Sequence, residues 1–199
     1  MNHLGTQTLE TERLILRKAK TSDAEKMFEN WTGDPEVTKY LTWNRHQGIE
    51  DSKAYIHYLQ ENYSQPDFYQ WIIEFKDNGE PIGNISVGRV LENIRCVHIG
   101  YCIGRKWWHQ GITSEAFARV IRFLFDQVGV NRIEARHDVA NPHSGGVMIK
   151  CGLIREGILR QAGLNTSGVC DMAVYSILKR DWEDTDRQSN SSAIQTFTK

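Results

Sequence analysis

The sequence predicts an α+β domain within the broad α/β class: a mixed, mostly antiparallel central sheet flanked by helices. Three observations predict it. Three segments rich in β-branched and aromatic residues run consecutively over 69–75, 81–91 and 95–103, with turn signals between them. A helical pattern over 112–128 follows, and helix signals also fill much of 22–63. At 199 residues the chain suits one well-filled domain.

Each element has its own signal. ERLILRKA, residues 12–19, reads as an opening strand. Ser22-Asp23-Ala24-Glu25 is a capping-box pattern that starts a helix carrying Met27 and Phe28. Asp34-Pro35 starts a second helix, an acidic N-cap before a proline at the first helical position. Residues 49–63 form a third, with Tyr55, Ile56 and Leu59 on one side. Asn78-Gly79 is a strong hairpin signal between the first two β-rich segments. In the next helix Ala116, Phe117, Val120, Ile121, Leu124, Phe125 and Val128 make an apolar face that ends at Gly129. RIEARHDV (132–139) is a strand, Asn141-Pro142 a break, and 143–151 a short helix. Segments 153–161 and 171–179 form a last strand pair around a Gly163–Gly168 loop. The expected organisation is an extension over 1–8, a domain over 9–182 and a polar tail over 183–199.

Composition excludes several classes of function. The 24 basic residues nearly cancel the 25 acidic ones, and no basic stripe appears, which argues against direct nucleic-acid binding. No apolar run approaches the roughly 18 residues of a membrane span. The opening MNHLGTQTLETERL lacks a signal peptide's apolar core. Cys96, Cys102, Cys151 and Cys170 lie far apart, as reduced thiols rather than a disulfide framework. A cytoplasmic protein without membrane attachment is expected. His137, His143 and Cys151 lack zinc spacing, so no metal is expected.

The informative stretch is KWWHQGITSEA, residues 106–116, at the entrance of the long helix. A helix start leaves backbone N–H groups unpartnered and carries partial positive charge. Gly111 lets a ligand approach the backbone, and Thr113 and Ser114 add hydroxyl donors. Such an entrance suits phosphate; taken alone, it also reads as a plain strand-to-helix connection, since short glycine patterns are weak evidence.

The wider pattern resembles the GNAT superfamily of acyl-CoA-dependent N-acetyltransferases, in particular its ribosomal-protein alanine acetyltransferase branch, the RimJ/RimL type. That branch opens T-E-R-L-x-L-R, as Thr11 to Arg17 do here. Its CoA loop, approximately Y-W-G-x-G-Y-A-T-E-A, is matched by Trp107 to Ala116. Its Asn-x-x-Ser and Lys-x-Gly-Phe patterns appear as Asn141-Pro142-His143-Ser144 and Lys150-Cys151-Gly152-Leu153. The likeness covers roughly residues 9–182. His109 and Thr113 depart from it, adding bulk where small residues are usual.

The resemblance implies acetyl-CoA as cosubstrate and an amine as acceptor, such as a ribosomal or other protein N-terminus. It implies a sheet whose strand before the CoA helix splays from a parallel neighbour. Backbone at His109, Gln110, Gly111, Ile112, Thr113 and Ser114 would cradle the diphosphate, with Trp108 and Trp107 wedging the loop. Tyr101, Cys102 and Ile103 would bond the pantetheine arm and polarise the thioester carbonyl. Ser144 would serve the departing thiolate, or else act as an N-cap; Asn141 would contact the cofactor, or else be a turn residue. His98 lies on the strand where a base would act, and is otherwise a packed histidine. The branch can carry a glutamate in the last hairpin, where Gln161-Ala162-Gly163 has no acid. Trp31, Tyr40 and Trp43 are candidates for the acceptor wall, or for the core. Two other functions stay open: a small-molecule amine acetyltransferase and a non-catalytic CoA-binding module. Monomer and homodimer are both compatible with the sequence.

Overall fold

The computed structural model describes residues 1–184. Almost all of the expected polar tail lies outside them. Eight strands form one sheet: β1 (Leu9–Glu10), β2 (Leu14–Arg17), β3 (Gln70–Phe75), β4 (Pro81–Leu91), β5 (Cys96–Ile103), β6 (Arg132–Asp138), β7 (Ile154–Asn165) and β8 (Gly168–Leu178). Their order is β1-β2-β3-β4-β5-β6-β8-β7. Every neighbouring pair is antiparallel except β5 and β6.

The helices include α1 (Ala24–Met27, extended by a wide turn over Phe28–Thr32), α2 (Pro35–Thr38), α3 (Ile49–Asn62), α4 (Ile112–Phe123, extended over Leu124–Val128) and α5 (Pro142–Lys150). Strand alternation divides β3 between two cores. Trp71 and Ile73 join α4 on one face, while Ile72 joins Met27, Trp31, Ile56 and Leu59 on the other. All seven predicted face residues of α4 are at most 1% exposed. Phe123 is buried as well, packed edge-on to Trp71. Burying each large side chain contributes about 1.5–3 kcal/mol, enough to outweigh helix propensity.

Three sequence readings are corrected. The opening strand is a small hairpin, because Thr11 to Arg13 turn to meet α4 rather than extend. The first helical turn is not held by Ser22 and Glu25: the Asp23 carboxylate accepts from Lys20 N–H (2.7 Å). Asp23 also receives both Arg17 Nη atoms (2.8 and 2.9 Å), and Glu74 takes Arg17 Nε (2.5 Å). This buried cluster ties α1 to the sheet. Most of the expected Gly163–Gly168 loop is paired strand, with Gly163 opposite Cys170 and Leu164 opposite Val169. Only Thr166 and Ser167 remain in the turn.

Glu156, Glu134 and Glu115 titrate below the ordinary carboxylate range. Hydrogen bonds from Arg132 and Ser176 hold Glu156 at about 2. Burial alone would raise Glu134 and Glu115, but the bonds from Arg132 and Arg136, and from Thr11 and Arg13, outweigh it. A depressed carboxylate stabilises the fold above its unfolded value, about 4.3, and that share is lost as pH falls through the folded value. The denaturation midpoint is therefore expected to hold from pH 7 to about 5 and to drop between about 5 and 2. A midpoint as high at pH 3 as at pH 6 would count against this.

Candidate active site

β5 and β6 pair in parallel only from Cys96 opposite Arg132 to Ile99 opposite Ala135. Beyond those residues the two strands part. β5 stays bonded to β4 as far as Ile103, and β6 to β8 as far as Asp138. Their facing edges are thus held in place and unpaired. Tyr101 helps to fix the gap. Its ring packs on Phe117 of α4 (5.4 Å between centroids), and its hydroxyl donates to Ser144 O (2.9 Å) and accepts from Ser144 Oγ (3.2 Å). No side chain fits at Gly145, because a Cβ there would stand 2.6 Å from His137 Nε2 beneath the helix.

A groove of about 330 Å³ runs from this gap to the start of α4. Tyr101, Cys102 and Ile103 form one wall, and Asn141, Ser144 and Lys150 the other. Val37, Tyr40 and Leu41 close one end. At the other end lie Trp108, His109, Gly111, Ile112, Thr113 and Ser114. His109 (φ 61°) and Gly111 (φ 73°) are both left-handed, which turns the chain sharply into α4. The helix's first bond runs from Glu115 N–H to Gly111 O (3.0 Å). The amides before it have no partner within the helix.

Glu115 does not oppose an anion there. Its carboxylate accepts from Thr11 Oγ1 (2.5 Å), Arg13 N–H (3.0 Å) and Arg13 Nε (2.7 Å). The Thr11-Glu12-Arg13 motif is therefore the lock on the helix entrance. Arg13 also donates to Gln110 O (3.2 Å). From the position of a Cβ at Gly111, Lys150 Nζ lies 3.3 Å away and Arg13 Nη2 3.9 Å. Partial positive charge, free amides, a glycine and two cations meet at one point, which fits a diphosphate. The free strand edges fit an extended amide-bearing arm.

The model of the acetyltransferase (GNAT) domain matches residues 13–154, most of the chain and all of this groove's inner walls. The chain belongs to the GNAT acetyltransferase family. It is 34% identical to the uncharacterized N-acetyltransferase YoaA of Bacillus subtilis, over 86% of this chain and 96% of that one. It is 23% identical to the [ribosomal protein uS5]-alanine N-acetyltransferase of Escherichia coli, over 87% and 92%. Among solved structures it superposes on the microcin C7 self-immunity acetyltransferase MccE in complex with acetyl-CoA and AMP. There the TM-score is 0.75, at 21% identity over 84% and 93% of the two chains. This GNAT protein is an N-acetyltransferase that uses acetyl-CoA. Among its described residues no helix is long and apolar enough to cross a membrane, and no three metal-ligating side chains converge.

The structure sorts the expected site residues of this acetyltransferase. Tyr101, Cys102, Ile103, Trp108, His109, Gly111, Ile112, Thr113, Ser114, Asn141, Ser144 and Tyr40 share the groove. Gln110 contributes its carbonyl to Arg13, and its side chain turns back to Lys106 O. The Trp108 indole donates to Ile103 O (2.9 Å), which wedges the loop against β5, while Trp107 is buried. Ser144 is not the N-cap of α5; Asn141 is, and its side chain makes no capping bond. Cys102 lies on the opposite face from Tyr101, donating to Asn84 Oδ1 (2.8 Å), and burial pushes its thiol up to about 12. It stays protonated and is no nucleophile.

His98 does not reach the groove. It stands where β5 and β6 still pair, 3.6 Å from Glu134 Oε1. Burial lowers its pKa, opposed by Glu134 and reinforced by Arg136, Arg89 and Arg132. Trp31 is 1% exposed in the second core, and Trp43 packs on the rim of that core beside His46. Arg13 and Lys150 went unassigned in the sequence reading. Both belong to local motifs, Thr11 to Arg17 and Lys150 to Leu153, but their convergence on Gly111 spans more of the chain than spacing can show.

Lys150→Ala is expected to weaken acetyl-CoA binding about tenfold, the loss of one charge-assisted hydrogen bond at an exposed site. Calorimetry at low and high salt would test it. The loss should shrink as salt screens the charge; a salt-independent loss would indicate packing instead.

Proposed function

We propose that this acetyltransferase transfers acetyl from acetyl-CoA to the α-amine of a protein N-terminus, in the cytoplasm, by direct attack. The carrying observation is the closure at the acyl end of the groove. Thr166 N–H bonds Leu41 O (3.2 Å), Thr166 Oγ1 bonds Thr38 O (3.0 Å) and Lys39 O (2.6 Å), and Ser167 Oγ bonds Lys39 O (3.0 Å). Asn165 Nδ2 ties the same turn to Asp138 of β6 (2.7 Å), and Arg105 Nε reaches Asp34 ahead of α2 (3.1 Å). Together these contacts bridge the wide end of the gap between β5 and β6. An acceptor that enters here presents its amine on a slender, extended group, as a chain terminus does. The [ribosomal protein uS5]-alanine N-acetyltransferase relative supports the same reading.

Acetyl-CoA supplies the activated acyl group. Tyr101 to Ile103 position the thioester through their backbone, and Ser144, oriented by Tyr101, hydrogen-bonds the departing sulfur. Asn141 holds the arm. An α-amine has a pKa near 8, so water is a sufficient base. The second reading, a small-molecule amine, is favoured by the likeness to MccE, whose structure holds AMP together with acetyl-CoA.

The test is thiol release from acetyl-CoA with peptides beginning in alanine, serine or methionine, with polyamines and with aminoglycosides, against no-acceptor controls. Release with a peptide, and one acetyl gained at its N-terminus, supports the proposal. Release only with a small amine replaces it with the second reading.

A further inference from the structure

Two histidines frame the mouth of the groove without a role in the reaction described so far. His109 belongs to the loop before α4 and His143 to the first turn of α5; both line the groove. Their rings meet edge to face, with centroids 4.9 Å apart and an interplanar angle of 79°. Neither imidazole has a hydrogen-bond partner among the described residues. His109 holds a left-handed backbone (φ 61°) that glycine adopts freely and a side chain does not. Strain of this kind at a ligand site is a pointer to function.

We propose that His109 and His143 close on the cofactor's diphosphate as a pair and take up one proton between them when it binds. Imidazole is the side chain whose charge changes near neutral pH, and in its charged form both ring nitrogens donate. A nearby anion favours that form. The proton comes from solvent and adds to a ring nitrogen; no other bond changes. One proton is shared because two adjacent imidazolium ions would repel. The charged neighbours of the loop are Lys150 of α5 and Arg13, in the turn before β2, which flank Gly111. Glu115 of α4 is engaged by Thr11 and Arg13, and Lys106 lies over the Trp107 ring (5.0 Å). Uptake that is lost when both histidines are replaced therefore reports on the histidines.

The test is calorimetry of acetyl-CoA binding at pH 7 in buffers of low and high ionisation enthalpy. The slope of observed heat against buffer enthalpy counts protons. The wild-type protein is expected to take up about half a proton or more, and His109→Gly/His143→Gln close to none. His109→Gly also relieves the backbone, so the variant should fold. Acetyl-CoA affinity should fall on the order of tenfold from pH 6 to pH 8 in the wild type and stay nearly flat in the variant. Dephospho-CoA, which lacks the 3′-phosphate that itself titrates near 6, should show the same uptake. Zero slope in the wild type, or an unchanged slope in the variant, overturns the proposal. Absence of any binding overturns it together with the placement of the diphosphate in this groove.

Discussion

Ser144→Ala should lower the turnover number by about 10²–10³ while leaving acetyl-CoA affinity within about threefold, the pattern of a lost proton donor. The hydroxyl lines the groove and is oriented by Tyr101, whose ring is locked against Phe117. Burial raises the Tyr101 pKa far above that of an ordinary phenol, although Ser144 opposes the shift. The phenol therefore keeps its own proton directed at Ser144 O, and the serine hydroxyl, which donates to the phenol at rest, would turn that proton toward a developing thiolate. Asn141, not Ser144, caps α5, so the serine has no capping role to lose. The variant should keep its denaturation midpoint. Tyr101→Phe, which leaves the serine unoriented, should lose less. Steady-state kinetics with saturating acetyl-CoA decide this. Equal turnover in Ser144→Ala would remove the residue from the mechanism.

Gly111→Trp should weaken acetyl-CoA binding by at least about 100-fold. Two or three charge-assisted bonds, each about 1.5–3 kcal/mol, depend on the diphosphate reaching this backbone. A bulky side chain here meets Lys150 Nζ and Arg13 Nη2 at once. It also occupies a left-handed position (φ 73°), which costs about 1–2 kcal/mol for an L-residue. Because that strain falls at a helix entrance, the melting curve should be recorded beside the calorimetry. Gly111→Ala is the companion variant. It carries the strain with little bulk and should lose far less affinity. A folded Gly111→Trp protein with wild-type affinity would place the diphosphate elsewhere.

Much of the fold is legible because its signals are local. The Asn78-Gly79 turn, the Asp34-Pro35 start and the apolar periodicity of α4 each act within a few residues, and the structure has all three. Errors arose where a tertiary partner overrode a local pattern. Ser22 and Glu25 look like a capping box, but Asp23 is recruited by Arg17 from the sheet. The Gly163–Gly168 stretch looks like a loop, yet the pairing of β7 with β8 continues through it.

The site divides along the same line. The glycine, the small hydroxyl residues and the following helix are contiguous, so the sequence by itself marked this loop as the candidate diphosphate site. It also set the alternation that puts Tyr101 on one face and Cys102 on the other. Only the tertiary structure showed that Arg13 and Lys150 converge on Gly111, that Glu115 is neutralised by a motif about a hundred residues earlier in the chain, that His98 stands in the closed part of the gap, and that the last hairpin bonds both β6 and the end of α2. The reason is physical. Backbone propensity and hydrophobic period are properties of neighbours in sequence, whereas charge pairing and groove closure depend on distances through space, which the packing of the sheet alone sets.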